Sequence, residues 1–184
     1  MQRLAGFLSV LVLAGCATLS QEDCLRGDWF GVGMKDGLAG EPESLLSEHA
    51  KACYEYGIVV ENQTYFAGRE QGLRDYCRLE NAFAVGLNGR PYHHVCPGPI
   101  DGLFGHFHAA AYAVYVAHSE MERIENELYS KERQLHDKKL NDKDRAQIRE
   151  DIRHMDRQRD YIRDDLYHHE RQLDRLRYEA QAYR

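Results

Sequence analysis

A long heptad pattern in the C-terminal part of the chain constrains the fold more than any other feature. Between residues 101 and 184 there is no proline, and no glycine follows Gly105, while charges of both signs are densely mixed. Apolar residues recur there in alternating steps of three and four, which is typical of helices that pack along a narrow apolar seam. This part of the chain must therefore form long helices that bury the seam against another helix.

The heptad pattern consists of two series with different phases. The first contains Leu103, Phe107, Ala110, Val114, Ala117, Met121, Ile124, Leu128, Lys131 and Leu135, and the second contains Ile148, Ile152, Met155, Arg159, Ile162, Leu166, His169, Leu173, Leu176, Ala180 and Tyr183. The phase breaks near Asn141, a good N-cap residue, with Asp144 three positions later as in a capping box. We predict an antiparallel coiled-coil hairpin over residues 101–184 with its turn near residue 141. Folding the second series back on the first pairs Leu128 with Met155.

The N-terminal end is typical of a lipoprotein export signal. Arg3 precedes an apolar stretch from Leu4 to Leu13, and this stretch is shorter than the roughly 18–20 residues of a spanning helix. It ends in Leu13-Ala14-Gly15-Cys16, which matches a lipobox. We predict a signal peptide over residues 1–15 and a Cys16 that carries diacylglycerol and palmitate and anchors the mature chain.

The alternative interpretation of this segment is an ordinary secretory signal with an unrelated cysteine. The residue after Cys16 is Ala17 and not aspartate, which favours the outer membrane by the lipoprotein sorting rule. We therefore expect a periplasm-facing lipoprotein of the outer membrane in a Gram-negative bacterium.

Four further cysteines remain in the predicted mature chain: Cys24, Cys53, Cys77 and Cys96. An even set in an oxidising compartment indicates two disulfides, and four cysteines allow three pairings. We favour Cys24–Cys53 with Cys77–Cys96, because sequential pairing joins neighbouring elements. None of the spacings forms a CxxC pair, which disfavours a zinc site or a redox site.

Residues 16–100 form a predicted head that is rich in glycine and aromatic residues. Three similar stretches each place an aromatic residue before a glycine, at residues 29–37, 65–73 and 83–89. On helices, Gly33 and Gly37 would share one face, as would Gly68 and Gly72, and each face would let another backbone approach closely.

Short helices are favoured for this head, with Asp28 and Asn62 as N-caps. Residues 43–56 also have helical spacing of their apolar residues. The competing interpretation is short strands with turns, because glycine costs about 1 kcal/mol inside a helix.

Several function classes are disfavoured by composition and motifs. The net charge of −6 opposes a general attraction to nucleic acid. The chain has no phosphate-binding loop, no G-x-S-x-G motif and no H-E-x-x-H motif, and its ten histidines show no metal-ligand spacing. We therefore expect no enzyme activity, no cofactor and no metal site.

An aromatic groove in the head is the one candidate ligand site. Its proposed members are Trp29, Asp36, Tyr65, Arg69, Arg90 and Tyr92. These residues could line a groove for a polymer or a peptide, or the aromatic rings could instead pack against the glycines.

The head resembles a family of proteobacterial lipoproteins that is filed only as a domain of unknown function, DUF family 2799. The resemblance covers about residues 16–118 and includes the lipobox, Cys24, Asp28-Trp29, Gly33, Asp36-Gly37, Gly40, Cys53, Tyr65, Gly68, Gly72-Leu73, Tyr76-Cys77, Gly86, Gly89, Tyr92 and Cys96. It implies no activity, cofactor or catalytic residue.

The overall expectation is a mostly α-helical protein, with a small disulfide-stapled head followed by the long hairpin. The favoured function is a lipid-anchored cell-envelope protein that is structural or binds a partner through the hairpin, such as an envelope protein or peptidoglycan. The alternative is a module that binds a small ligand or cell-wall glycan through the aromatic head.

Overall fold

The computed structural model describes residues 18–183, and all of its regular elements are helices. The helices are α1 (Gln21–Arg26), α2 (Trp29–Ala39), α3 (Leu45–Tyr54), α4 (Asn62–Tyr76), α5 (Leu79–Leu87), α6 (Gly98–Leu135) and α7 (Asp142–Ala180), followed by a 3₁₀ turn (Gln181–Tyr183). Residues 18–183 contain no strand, so the mostly α-helical prediction is confirmed and the alternative of short strands is wrong. The predicted signal peptide and Cys16 lie outside the described residues.

Side-chain caps define where the short helices of the head begin. Asp28 caps α2, because its carboxylate accepts a hydrogen bond of 2.9 Å from the backbone N–H of Gly31. The prediction of Asn62 as an N-cap is wrong: Asn62 is the first residue of α4, and Glu61 caps it by accepting from the backbone of Thr64. A carboxylate one residue earlier in the chain therefore takes the capping role.

Helices α2 and α4 pack backbone against backbone through their paired glycines. A Cβ added to Gly33 would lie 2.0 Å from the carbonyl oxygen of Tyr65, and one added to Gly37 would lie 2.2 Å from that of Arg69. In return, a Cβ on Gly68 would lie 2.0 Å from the carbonyl oxygen of Phe30. Successive turns of α2 meet successive turns of α4, so the two helices run parallel. The predicted close approach of backbones is confirmed, and the glycine face of α2 contacts the glycine face of α4.

Both predicted disulfides are present. Cys24–Cys53 links α1 to α3 with a Cα–Cα distance of 5.4 Å, and Cys77–Cys96 links the end of α4 to the segment before α6 with 5.6 Å. The first lies in a buried cluster with Trp29, Leu46, Val60 and Tyr65. The bonds join cysteines 29 and 19 residues apart, and a cross-link that closes a loop of this length stabilises a fold by roughly 3 kcal/mol.

The two long helices form the predicted antiparallel hairpin. Helix α6 ends at Leu135 and α7 begins at Asp142, and Asn141 caps α7 by accepting a hydrogen bond of 2.9 Å from the backbone N–H of Asp144. Leu128 and Met155 lie in one buried cluster of the hairpin. The turn near residue 141 and the apolar seam are therefore confirmed.

The base of the hairpin belongs to the same core as the second half of the head. Leu173 and Leu176 of α7 lie in one buried cluster with Tyr76 and Phe83 of the head. On α6, Phe104 and Ala111 are buried as well, although neither is a member of the heptad series. This part of α6 packs against α5 and α7 at once, so the head and the hairpin share a hydrophobic core.

Candidate functional site

A buried chain of polar side chains connects three helices of the head. The carboxylate of Asp36 in α2 lies 2.9 Å from Nε2 of His49 in α3 and accepts a hydrogen bond of 2.8 Å from the hydroxyl of Tyr65 in α4. The other ring nitrogen of His49 lies 2.8 Å from Oγ1 of Thr18. All but Thr18 are buried.

The electrostatics of these buried polar side chains favour a fixed hydrogen-bond network. Burial, followed by the hydrogen bond to Asp36, raises the pKa of Tyr65 far above its ordinary value. The Tyr65 hydroxyl therefore stays protonated at physiological pH and continues to donate to Asp36. Because a buried carboxylate is costly unless its oxygens are hydrogen-bonded, the network specifies how α2, α3 and α4 sit together.

Arg69 and Arg90 both donate hydrogen bonds to backbone carbonyls near the C-terminal end of α2. The guanidinium of Arg69 is buried and donates a hydrogen bond of 2.7 Å to the carbonyl of Glu41. The guanidinium of Arg90 donates to the carbonyl of Ala39. These two cations connect α4 and the segment after α5 to the C-terminal end of α2.

Tyr92 belongs to a separate cluster beside the second disulfide. Its hydroxyl donates a hydrogen bond of 2.6 Å to Asp101, and Nδ1 of His94 lies 3.2 Å from the other oxygen of that carboxylate. The hydrogen bond from Tyr92, with a smaller contribution from His94, holds the pKa of Asp101 below its ordinary value. Burial, and then the bond to Asp101, raises the pKa of Tyr92. His94 itself has a positive φ of 53°.

The six residues of the predicted aromatic groove do not line one exposed groove. Trp29 is 7% exposed and Tyr65 is 0% exposed, so both rings pack inside the core. Asp36 joins Tyr65 in the polar network, whereas Tyr92 lies in the other cluster. Stacking on a sugar or a peptide requires an accessible ring face, which Trp29 and Tyr65 do not offer.

Several partners in these clusters were not predicted from the sequence: Thr18, His49, His94 and Asp101. Thr18 lies 31 residues from His49 in the chain, and Asp36 lies 13 residues from it. No local motif connects residues this far apart. The one available signal was that His49 falls on the apolar face of its helix, where a histidine needs a polar partner.

The hairpin carries an open groove along one flank. The groove encloses about 680 Å³ between α6 and α7. Its apolar members include Val116, Ala117 and Ile162, and charged residues of both signs line it as well. Tyr161 borders the groove and is 74% exposed, and Val116 is 47% exposed. A surface of this kind can accept another helix or a chain segment.

A second cavity of about 890 Å³ lies where the hairpin joins the head. Leu79, Val95, Ile100, Leu103 and Tyr183 are among its lining residues, and the Arg74 and Arg78 side chains border it with Glu70 and Glu80. Arg74 pairs with Glu70 at 3.1 Å. The charges around this cavity are therefore balanced, and no single ligand charge is favoured.

Residues 18–183 contain neither a metal-binding cluster nor a membrane-spanning helix. No group of three or more histidine, cysteine or acidic side chains in this range is placed to hold a metal ion. No described helix is long and apolar enough to cross a membrane.

The fold and its clusters define a class: an α-helical protein with a disulfide-linked head whose core continues into an antiparallel helical hairpin. Residues 28–113 match the family described as "Protein of unknown function (DUF2799)", which confirms the resemblance to that family over this region. The match covers α2 to the first half of α6, so the paired glycines, the second disulfide and the polar network except Thr18 lie within it. No curated protein and no solved structure matches the chain.

Proposed function

We propose that this protein is a lipid-anchored cell-envelope protein that binds a protein partner through the groove of its hairpin. The observation that carries the proposal is the open groove between α6 and α7, with Tyr161 exposed at its border. The head then serves as the rigid base that holds the hairpin.

A hairpin of two helices favours partner binding for a packing reason. Two helices bury one seam and leave both flanks open, and here the seam residues Met121, Ile152 and Ile162 are only partly buried. A further helix in the groove would remove the exposed part of Ile162, with Val116 and Ala117, from water, at roughly 25 cal/mol per Å² of apolar surface. Tyrosine is enriched in protein interfaces, and Tyr161 is accessible there.

The position of Thr18 supports a short connection between the proposed anchor and the head. Thr18 is hydrogen-bonded to the buried His49, and Cys16 precedes it by two residues. Two residues span at most about 7 Å. A lipid on Cys16 would therefore keep the head close to the membrane surface.

Membrane fractionation tests the anchor. Cys16→Ala should move the protein from the membrane fraction to a soluble or uncleaved form, because lipid attachment needs the thiol. Wild-type protein found wholly in the soluble periplasmic fraction would contradict the lipoprotein proposal.

Site-specific photo-crosslinking in cells tests the partner. A photoreactive amino acid at Tyr161 should capture a protein that mass spectrometry identifies. Tyr167 is the matched control, because it is on the same helix, is 56% exposed and does not line the groove. Equal capture from both positions, or no capture from Tyr161, would argue against the groove as the binding surface.

A further inference from the structure

Three groove residues of α7 form a stripe with self-complementary charge. Arg157, Tyr161 and Asp165 are spaced four residues apart and all line the groove, so they share one side of the helix. From the N-terminal to the C-terminal side of α7, the stripe presents a cation, an aromatic ring and an anion. In a second α7 that runs antiparallel, it reads anion, aromatic ring, cation.

We infer that the partner in the groove is a second copy of this chain, related by a two-fold axis that passes beside Tyr161. This inference rests on the proposed function of the groove and specifies its occupant. In this arrangement the two α7 helices run antiparallel, and the two Tyr161 rings meet at the axis. Arg157 of each copy then faces Asp165 of the partner subunit.

The two-fold symmetry doubles every contact that lies off the axis. Arg157 and Asp165 are eight residues apart, or about 12 Å along the helix, so each ion pair lies about 6 Å from the axis. A parallel arrangement of the two helices would instead place like charges opposite each other. Charge complementarity therefore selects the antiparallel dimer, and closed two-fold dimers are the commonest soluble assemblies.

Some of the charges that line the groove, Asp165 of the stripe among them, also have contacts within their own chain. Arg123 pairs with Glu120 at 3.0 Å and, more closely, with Glu127. Asp165 lies 3.4 Å from His169 and its side chain remains 50% exposed. His154 completes the charged and titratable lining. The exposed Asp165 carboxylate is thus available to an arginine from outside the chain.

The apolar part of the groove would supply the attraction between the two copies. Val116, Ala117 and Ile162 line it beside Tyr161. Val116 and Tyr161 are among the exposed large apolar side chains of the protein. When the grooves of two copies face each other, the apolar residues of both are buried. The ion pairs then determine how the two α7 helices are aligned along their length.

Disulfide trapping tests the position of the axis. In the mature chain Cys24, Cys53, Cys77 and Cys96 are in disulfides and Cys16 is proposed to be lipidated, so Tyr161→Cys adds the one reactive thiol. Mild oxidation of this variant should give a covalent dimer, and Tyr167→Cys should give none. Equal dimer formation by both variants, or none by Tyr161→Cys, would overturn the inference.

Charge reversal tests the register. The mature chain in density-matched detergent should sediment as a dimer, and Arg157→Asp or Asp165→Arg should each weaken the dimer about tenfold or more, a change of roughly 1.4 kcal/mol in free energy. The double variant should restore dimerisation, because the symmetry-related pairs form again with exchanged charges. Circular dichroism should show equal helicity in all variants.

The outcomes separate this inference from the proposed function. A wild-type chain that remains monomeric, or single reversals that leave dimerisation unchanged, would overturn the antiparallel dimer. If photo-crosslinking at Tyr161 then captured another protein, the groove would still be a binding surface with a different partner. If Tyr161 captured nothing, both proposals would fail together.

Discussion

Gly33 of α2 lies directly against the backbone carbonyl of Tyr65 in α4, so that an added Cβ would come within 2.0 Å of its oxygen. Backbone atoms on both sides of this contact leave no flexible side chain that could move aside. The distance between the two helices is therefore set by the absence of a side chain at residue 33.

We predict that Gly33→Ala destabilises the protein by about 1–3 kcal/mol, because the methyl group must push α2 away from α4. Gly102→Ala is the control, since Gly102 lies in α6 with no neighbouring atom within 4 Å of an added Cβ. The control should gain up to about 1 kcal/mol from helix propensity. Urea unfolding of both variants measures the difference. Equal effects would show that α2 and α4 do not pack at this distance.

Tyr65→Phe tests the buried polar network. Without the Tyr65 hydroxyl, the Asp36 carboxylate keeps its hydrogen bond to His49 but loses its second donor. An incompletely satisfied buried polar group lowers the free energy of unfolding by about 1–3 kcal/mol. Tyr54→Phe is the control, because Tyr54 is 77% exposed and its change should stay within about 0.5 kcal/mol. Thermal unfolding compares the two, and a neutral Tyr65→Phe would mean that the network adds no stability.

Acid should destabilise the protein in part through Asp101. Its pKa is lowered in the folded chain by Tyr92 and His94, so the folded state binds fewer protons than the unfolded state near pH 4. The stabilisation is complete above the ordinary aspartate pKa of about 3.9 and is lost as the pH falls through the lower folded value.

The measurement for Asp101 is the free energy of unfolding between pH 5 and pH 2. Wild-type protein should lose more stability over this range than Asp101→Asn, which cannot titrate. Tyr92→Phe should reduce the slope in the same direction, because it removes the main cause of the pKa shift. Identical slopes in all three proteins would contradict the assignment.

The register of the hairpin can be tested with a cysteine pair. Leu128 and Met155 lie in one buried cluster, so Leu128→Cys with Met155→Cys should form a disulfide within one chain, with monomer mobility on a non-reducing gel. Tyr129→Cys with Met155→Cys is the control, because Tyr129 is 62% exposed and points away from the seam. Disulfides between chains, without any product within a chain, would disprove the hairpin.

The long hairpin could be predicted from sequence because its signal is local and repeated. Every position of the second heptad series from Ile148 to Ala180 is buried or partly buried. Tyr183 is the exception, since it lies in the 3₁₀ turn and is 58% exposed. A repeat of three and four residues marks one helix face over many turns, so single polar members such as Arg159 do not obscure it.

Residues near the base of α6 were less predictable. Phe104 and Ala111 are buried outside the heptad series because α5 covers a second face of α6. The pattern of one helix cannot show how many neighbours it has. The arrangement of the head determines that number.

The helical class, the turn near Asn141, the presence of two disulfides and the small faces of α2 and α4 could be predicted from the sequence alone. These features depend on short-range periodicity, capping and the number of cysteines. The three-dimensional fold was needed to show which cysteines pair, that the two glycine faces meet, that Trp29 and Tyr65 are buried, and that Asp36, His49 and Thr18 form one network. These contacts join residues that are far apart in the chain. Packing determines which residues meet, and the sequence around each residue does not show its distant partner.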